Sequence, residues 1–258
     1  VIDLNGISQV AGGSVRNMEG FWDLRTGSGA DRITGHRDHA LAERIDTGAG
    51  DDHVSLWAGA HDTVHGGTGS DRLSWTYATT TTGVALRGIT ANAEGGYDGM
   101  FDGYVSNNLS FTGIEHFTFI DESNGSDRIE TGDGNDSLIG GGGNDTLVAG
   151  RGEDTVDGGD GVDMWGADQS GRVGPLTIDL NVASVIGLGR VENMEGFWDL
   201  RTGSGNDRVT GHMSATTADR VATGAGNDLI RLWFNAHDTV DGGTGSDRLS
   251  LTYDTTTT

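Results

Sequence analysis

The chain has 258 residues with 46 Gly and a single Pro, so glycine and small polar residues must make nearly every bend. The formal net charge is −23, which argues against nucleic acid or an anionic membrane as a partner, and the absence of Cys excludes disulfides and thiolate metal sites. Hydrophobic residues make up 34%, too few for an ordinary compact core but enough for a stack of short coils. The composition therefore favours a solenoid.

A long tandem repeat organises the whole chain. Residues 1–82 align with residues 177–258 at a constant offset of 176, and 54 of the 82 pairs are identical. This predicts three segments: a partial first copy at 1–82, the remainder of the unit at 83–176, and a partial second copy at 177–258. No signal peptide or transmembrane run is visible, so we expect an excerpt of a longer protein, which continues beyond residue 258 with a segment like the one that begins at Gly83.

The first copy opens with the strand-like VIDLN and reaches FWDLR before three nine-residue units appear, TGSGADRIT, TGAGDDHVS and GGTGSDRLS. Each unit has Asp at its sixth position and a large apolar residue at its eighth. Degenerate units that end in ERID and HDTVH lie between them. Alternation along a short strand predicts that the eighth-position side chain points into a core.

The first spacer, residues 75–121, lacks nonapeptides but alternates in strand fashion, as in GVALRGIT and FTGIEHFTFI. It predicts longer coils that continue the stack. We interpret the aromatic pairs of the repeated FWDLR segment, Phe21 with Trp22 and Phe197 with Trp198, as core or capping residues. Residues 93–104 are predicted to form an exposed loop whose aromatic residues offer a contact to a surface glycan or a neighbouring chain.

Four nonapeptides then follow one another without interruption from Thr131 to Gly166, namely TGDGNDSLI, GGGGNDTLV, AGRGEDTVD and GGDGVDMWG. A second strand-like spacer covers residues 165–201, and the second copy repeats the units as TGSGNDRVT, TGAGNDLIR and GGTGSDRLS. We predict one continuous core formed by the eighth-position residues, which are Ile33, Val54, Leu73, Ile129, Leu138, Leu147, Val156, Trp165, Val209, Ile230 and Leu249.

These units resemble the RTX (repeats-in-toxin) family, whose signature is G-G-x-G-x-D-x-U-x with U a large apolar residue. The resemblance implies an all-β fold, a right-handed parallel β-roll or β-helix in which six residues form a turn and three a short strand. It also implies that turns eighteen residues apart share calcium ions.

The residue chemistry agrees with calcium. Glycine at positions 1, 2 and 4 permits positive φ angles that direct carbonyl oxygens toward one point, and the sixth-position Asp adds a charged oxygen. A solvated surface turn explains any single Gly-x-Gly-x-Asp, but repetition in register argues against it. A metal-free β-helix with stacked Asn or Asp ladders is disfavoured by the excess of Asp over Asn at position 6 and by the net charge.

Carried over from the family, the predicted sites pair Asp127 with Asp145, Asp136 with Asp154 and Asp145 with Asp163. In the flanking copies they pair Asp31 with Asp52, Asp52 with Asp71, Asp207 with Asp228 and Asp228 with Asp247. A second face, with Glu43 near Asp62 and Asp219 near Asp238, almost lacks the turn glycines, which leaves its occupancy open. The predicted metal-site residues are Gly27, Gly29, Asp31, Thr47, Gly48, Ala49, Gly50, Asp52, Gly66, Thr68, Asp71, Ser123, Gly125, Asp127, Thr131, Gly132, Asp133, Gly134, Asp136, Gly140, Gly141, Gly142, Gly143, Asp145, Ala149, Arg151, Asp154, Gly158, Asp160, Asp163, Gly203, Gly205, Asp207, Thr223, Gly224, Ala225, Gly226, Asp228, Gly242, Thr244 and Asp247.

No catalytic motif accompanies the repeats. H-E-x-x-H and G-x-S-x-G are absent, and His61 and His65 lie four residues apart without a general base between them. We therefore predict no enzyme activity, and a secreted or cell-surface protein that folds on binding several calcium ions. Two roles remain open: a structural or adhesive protein that associates with its own copies, or the secretion and folding module of a larger RTX exoenzyme or toxin.

Overall fold

The computed structural model describes residues 1–3, 8–10, 13–15, 20–37, 41–57, 61–77, 83, 85–93, 95–102, 108–121, 123–213, 217–234 and 237–253. Every regular element in these ranges is a β-strand. No helix in this part of the chain is long and apolar enough to cross a membrane. The chain forms two compact units, Val1–Gly125 and Ser126–Thr258. The predicted division into tandem copies is a property of the sequence and stays a prediction.

The described residues of the first unit form thirteen strands. They are β1 (Ile2–Asp3), β2 (Ser8–Val10), β3 (Gly13–Val15), β4 (Leu24–Arg25), β5 (Arg32–Thr34), β6 (Arg44–Asp46), β7 (His53–Trp57), β8 (Asp62–His65), β9 (Arg72–Tyr77), β10 (Ala85–Ala91), β11 (Tyr97–Asp102), β12 (Asn108–Ile114) and β13 (His116–Asp121).

Two parallel sheets build this unit. Strands β1, β5, β7, β9 and β13 pair in that order, and β4, β6, β8 and β12 form the second sheet. The register places Ile33 beside Val54 and Val54 beside Leu73, so the eighth positions of successive units stack. All three side chains are buried, as the alternation predicted.

The predicted exposed loop at residues 93–104 is confirmed at Ala93 and Gly95, which are exposed and lie outside the strands, but it is wrong for residues 97–102. Residues 97–102 form β11, and Phe101 is fully buried against Trp75 and Phe119, with ring centroids 4.5 and 5.5 Å away. Aromatic packing of this kind contributes beyond area burial alone, which explains why the segment pairs as a strand. Glu94, Gly103 and Tyr104 lie outside the described residues.

In the second unit, the part of the chain that the structure describes forms eighteen strands. They are β14 (Arg128–Glu130), β15 (Ser137–Ile139), β16 (Gly142–Gly143), β17 (Thr146–Val148), β18 (Thr155–Asp157), β19 (Asp160–Gly161), β20 (Met164–Asp168), β21 (Thr177–Asp179), β22 (Ser184–Ile186), β23 (Gly189–Glu192), β24 (Gly196–Arg201), β25 (Arg208–Thr210), β26 (Arg220–Ala222), β27 (Ala225–Gly226), β28 (Leu229–Phe234), β29 (Thr239–Asp241), β30 (Thr244–Gly245) and β31 (Arg248–Tyr253).

Three parallel arrays build the second unit. Strands β14, β17, β20, β24, β26 and β29 pair in that order, β15 pairs with β18 and β18 with β23, and β21, β25, β28 and β31 form the third array. Three of the four uninterrupted nonapeptides provide a turn and a three-residue strand, β15, β17 and β18, and the fourth continues into the five-residue β20. The fold is therefore the parallel β-roll that the resemblance implied.

One predicted core residue is misplaced. Ten of the eleven eighth-position residues are buried, but Leu249 is 50% exposed. Leu249 lies on β31, which pairs with β28 on one side, and no later described strand covers its other side. A solenoid coil buries its apolar side chains only against neighbouring coils, so the prediction fails at this position.

The spacers also depart from the simple coils that were predicted. Strand β11 runs antiparallel between β10 and β12, and β22 forms an antiparallel hairpin with β23. The FWDLR aromatics separate as well: Phe197 is buried, whereas Trp22 is 94% exposed and Trp198 is 46% exposed. The core or capping interpretation therefore holds for Phe197 and not for the two Trp residues.

Candidate metal centres in the turns

The turns stack on one another through their backbones. Gly142 pairs with Asp160 and Gly143 with Gly161 in parallel register, and Ala225 and Thr244 are paired likewise. The second-position carbonyl of one turn accepts the third-position N–H of the next, as in the 2.8 Å bond from Asp160 to the Gly141 oxygen. The same bond joins Ala49 to Gly27, Thr68 to Gly48, Ala225 to Gly203 and Thr244 to Gly224. Each carbonyl keeps a second lone pair for a ligand.

Glycine has different roles at different turn positions. Positive φ angles occur at positions 2 and 4, for example 87° at Gly141 and 126° at Gly143. A side chain would strain this conformation, which accounts for the glycines there. The same conformation occurs at Gly48, Gly50, Gly67, Gly69, Gly134, Gly150, Gly152, Gly159, Gly161, Gly224, Gly226, Gly243 and Gly245. The prediction was wrong for position 1 and for the first turn of each copy, where Gly27, Gly29, Gly203 and Gly205 lie outside this region. It was also wrong for Gly125 and Gly132.

At position 1, glycine supplies space. A Cβ added to Gly140 would overlap Oδ2 of Asp145 and lie 2.7 Å from the Gly158 carbonyl oxygen. Gly66, Gly158 and Gly242 are crowded in the same way by the aspartate of their own unit, at 2.8, 2.7 and 3.0 Å. The missing side chain therefore lets a carboxylate oxygen and a carbonyl oxygen converge, as a hard cation requires.

The sixth-position aspartates of successive coils are joined by a hydrogen bond that we call a rung. In each rung, the backbone N–H of one residue donates to a carboxylate oxygen of the corresponding residue in the next coil. The N–H of Asp127 donates to Oδ1 of Asp145, and that of Asp145 to Oδ1 of Asp163, both over 2.8 Å. Rungs of 2.7–3.0 Å join Asp31 to Asp52, Asp52 to Asp71, Asp136 to Asp154, Asp207 to Asp228 and Asp228 to Asp247. The structure thus brings the members of every predicted aspartate pair into contact.

The second carboxylate oxygen of several rung aspartates is buried and has no hydrogen-bond donor. This holds for Oδ2 of Asp52, Asp71, Asp163 and Asp228. Burying an ionised carboxylate without a partner is costly, and a cation is the group that offsets the cost. The donor set of carboxylate and carbonyl oxygens fits calcium.

The pKa values of these aspartates reflect that burial. Desolvation raises the pKa of Asp154 to about 7 and those of Asp71 and Asp163 to about 6, and neighbouring carboxylates add to the rise. Desolvation also raises the pKa of Asp207, whose Oδ2 accepts the hydroxyl of Thr202. A bound cation favours the ionised carboxylate and so lowers such pKa values.

The first and the last of the rung aspartates along the chain are more exposed to solvent than the others. Asp31 is half-buried and Asp247 is exposed, in contrast to the buried aspartates between them. The third-position side chains of Asp133, Arg151 and Asp160 are also exposed. At position 3, the group available to bind a metal is therefore the backbone carbonyl. The Arg151 carbonyl already accepts the Gly134 N–H, and Gly125 donates to the Ser123 hydroxyl over 3.2 Å.

Two stabilising features were not predicted from the sequence. Where Thr replaces glycine at position 1, its hydroxyl donates to the first-position carbonyl of the next turn, as from Thr47 to Gly66 over 2.7 Å and from Thr223 to Gly242 over 3.2 Å. At position 5, side-chain oxygens form an outer ladder in which Asn144 accepts the N–H of Val162. The frequent Asn before the Asp was the available signal. Further bonds of this outer ladder join Asn135 to Glu153, Asn206 to Asn227, Asn227 to Ser246 and Asp51 to Ser70.

The second face has rungs too. The N–H of Glu43 donates to Asp62 over 2.9 Å, and that of Asp219 to Asp238 over 3.0 Å. Desolvation raises the pKa of Glu43 and of Asp62 to about 7. These residues therefore share the rung geometry of the aspartates, without the nonapeptide turn.

Across the described residues, no three His, Asp or Glu side chains converge on one point. The stacked glycine turns bring backbone carbonyl oxygens close to single carboxylates, and oxygens of both kinds are ligands that calcium accepts.

One family model matches the chain, described as the RTX calcium-binding nonapeptide repeat (4 copies). It matches residues 40–73, 123–156, 130–164, 215–233 and 234–250, so it includes the continuous nonapeptides and parts of both copies. A comparison with curated proteins finds no match. Several copies of the RTX calcium-binding nonapeptide repeat therefore lie along the chain, where they form stacked glycine turns, parallel β-strands and buried aspartate rungs.

Proposed function

We propose that the chain is an extracellular structural or adhesive protein that folds when calcium enters its turns. The observation that carries this proposal is the set of buried carboxylate oxygens without donors, exemplified by Asp52 and Asp163. In the described part of the chain, seven rungs join sixth-position aspartates, the net charge of the chain is −23, and calcium is the partner that the repeat family binds. The cation provides the compensation that the protein's own side chains do not.

Folding and calcium binding are coupled in this proposal. Without the ion, facing carboxylates such as Asp136 and Asp154 repel each other. The glycine turns also lose more conformational entropy on folding than any other residue type would. The binding free energy of the ions is then part of the folding free energy. Extracellular calcium modules bind with dissociation constants of about 10⁻⁴–10⁻³ M, so the chain would stay unfolded in a low-calcium cytosol, leave through a one-step secretion system and fold outside.

A structural or adhesive role, without catalysis, is the second part of the proposal. The two copies at a 176-residue offset, identical at 54 of 82 positions, support it, because a folding module needs only a few nonapeptides. Solenoid coils contact only their neighbours, so repetition lengthens the array without changing its local structure. The proposed forms are a surface adhesin, a surface-layer subunit or a filament block, with copies of the chain associating end to end or side by side. Among the aromatic side chains whose exposure the structure describes, Trp22 is the most exposed at 94%, and we propose that it can meet a surface glycan.

A calcium titration followed by circular dichroism tests the first part. We expect a largely disordered chain in excess EGTA and a β spectrum in millimolar calcium. Asp145→Asn should raise the calcium midpoint because Asp145 takes part in two rungs, whereas Asp133→Asn removes the same charge from an exposed side chain and should not. A full β spectrum in EGTA would contradict the proposal.

Small-angle scattering and sedimentation in calcium test the second part. An elongated particle whose length grows with the number of tandem units is expected, and association of chains should depend on calcium. A full-length product in which these repeats flank a catalytic domain would favour the secretion-module role instead.

A further inference from the structure

Two segments outside the nonapeptides end a series of rungs with a glutamate. In the first unit, the N–H of Asp71 donates to Oε2 of Glu115 over 2.7 Å. In the second unit, the N–H of Asp163 donates to Oε2 of Glu195 over 2.8 Å. These two N–H groups are equivalent to that of Asp145, which donates to the aspartate of the next coil. Each glutamate therefore stands where a further nonapeptide would supply its Asp.

The backbone before each glutamate reproduces the second half of the site. Gly113 and Asn193, each two residues before its glutamate, have φ angles of 62° and 52°. A Cβ on Gly66 would overlap the Gly113 carbonyl oxygen, and a Cβ on Gly158 would overlap that of Asn193. In the nonapeptide turns, the carbonyl of Gly158 approaches Gly140 in the same way.

The side chain of glutamate suits the shorter stretch of backbone that precedes it at both places. In a nonapeptide, the first-position glycine lies five positions before its Asp, as Gly158 does before Asp163. Gly113 and Asn193 lie only two positions before their glutamates. The extra methylene of Glu lets its carboxylate reach the rung from this shorter backbone. Asn193 is the one non-glycine residue with a positive φ among those described, and Asn tolerates that conformation better than most residues.

A buried carboxylate oxygen without a hydrogen-bond donor lies near the Gly113 carbonyl, and another lies near the Asn193 carbonyl. Asp71 is 1% exposed and Asp163 is fully buried, and Oδ2 of neither has a hydrogen-bond partner. Oδ2 of Asp71 lies 2.8 Å from the Cβ position at Gly66, and Oδ2 of Asp163 lies 2.7 Å from that at Gly158. The carboxylate oxygen and the carbonyl oxygen thus border the same space, as they do at Gly140.

The electrostatics agree with this geometry. Repulsion from Glu115 contributes to the raised pKa of Asp71, after the larger effect of burial. Glu195 contributes to the raised pKa of Asp163 in the same manner. Each place therefore brings two acidic residues together across a rung of 2.7 or 2.8 Å, and this pairing of carboxylates favours a divalent cation.

We propose that Glu115 with Asp71, and Glu195 with Asp163, each complete a terminal calcium site whose backbone oxygens include those of Gly113 and Asn193. The proposal rests on the calcium binding proposed above and adds two sites outside the nonapeptide signature. The sequence pattern that marks such a site is Gly or Asn, an apolar residue and Glu, directly before a strand.

Calcium stoichiometry tests the assignment. Glu115→Gln with Glu195→Gln keeps an acceptor oxygen for each rung but removes both charges. We expect two fewer ions per chain by equilibrium dialysis, or binding at these sites weakened roughly tenfold or more, because calcium affinity follows ligand charge. Glu192→Gln is the matched control, since the Glu192 side chain contacts Arg190 on the surface. An unchanged stoichiometry and affinity in the folded double variant would overturn the assignment.

Crystals of the unaltered chain grown with calcium or terbium give a readout that does not depend on how the variants fold. Anomalous peaks next to Glu115 and Glu195 are expected in addition to peaks between nonapeptide turns. Peaks only between nonapeptide turns would refute the terminal sites while leaving calcium binding intact. A chain that binds no ion at any turn would refute the proposed function together with them.

Discussion

The nonapeptide turns around Asp145 and the degenerate turns around Asp62 share one feature and differ in another. Both carry a rung, 2.8 Å from Asp127 to Asp145 and 2.9 Å from Glu43 to Asp62. Both bury the carboxylate. Only the first adds a crowded first-position glycine in the same unit and left-handed glycines at positions 2 and 4, as Gly140, Gly141 and Gly143 do.

This difference distinguishes what the stacking of coils requires from what the coordination of calcium requires. A rung needs only coils in register, so it forms wherever an acidic residue precedes a strand. A calcium site also needs carbonyl oxygens that converge on the carboxylate, and the glycine turn supplies them. The comparison therefore predicts that the nonapeptide face binds calcium more tightly than the second face.

The largest expected effect comes from filling the space at position 1. Gly140→Ala forces a methyl group toward Oδ2 of Asp145 and the Gly158 carbonyl. This overlap should lower the free energy of unfolding in the presence of calcium by about 1–3 kcal/mol and prevent calcium from binding at this turn. Gly174→Ala is the control, because nothing lies within 4 Å of its Cβ position. Urea unfolding at fixed calcium measures both variants, and equal stabilities would show that the space is dispensable.

Removing one charge from each face tests the comparison directly. Asp145→Asn should lower the number of bound calcium ions, since Asp145 belongs to two rungs. Asp62→Asn keeps the Oδ1 acceptor for the Glu43 rung and should leave the stoichiometry unchanged. Isothermal titration of the two variants with calcium measures the number of bound ions per chain. If both variants bind fewer ions than the wild type, both faces hold calcium.

The pH dependence of stability gives a smaller signal. Burial raises the pKa of Glu43 and of Asp62 to about 7. For an acid, a folded-state pKa above the unfolded one means that stability falls as pH rises from the unfolded value near 4 to about 7. If the second face holds no ion, the wild type should therefore lose stability relative to Glu43→Gln/Asp62→Gln between about pH 5 and 7 in saturating calcium.

The opposite trend would identify an ion on the second face. Calcium binds the ionised carboxylates, so the wild type would then gain stability relative to the double variant over the same pH range. Urea midpoints at about pH 5, 6 and 7, with calcium held constant, distinguish the two outcomes.

The smallest effect is expected from the outer ladder. Asn144→Ala removes the acceptor of the Val162 N–H, which lies on an exposed part of the turn. The expected loss is about 0.5–1 kcal/mol, because water replaces part of the bond. Calcium stoichiometry should stay the same, and a lost ion would mean that position 5 supports the site.

The periodic features were the predictable ones. The period of nine determined which side chain of each unit is inward, because a three-residue strand leaves one such position, and Leu138 and Val156 are buried accordingly. It also determined which aspartates meet, because coils in register bring equal positions together. The outer ladder could have been predicted in the same way, because Asn recurs at position 5. An uncharged side chain next to the Asp is a weaker indication of a contact than the Asp itself.

The sequence by itself therefore determined the β-roll, its register and the aspartate pairs, all of which repeat. Only the tertiary structure decided what does not repeat: the antiparallel strand β11, the exposed Leu249 and the glutamates that end the rungs. A periodic pattern specifies the contacts between equivalent coils. The fold of a spacer depends on packing of single side chains, such as Phe101 on Trp75, and on a short turn whose carboxylate reaches the rung only through the length of Glu.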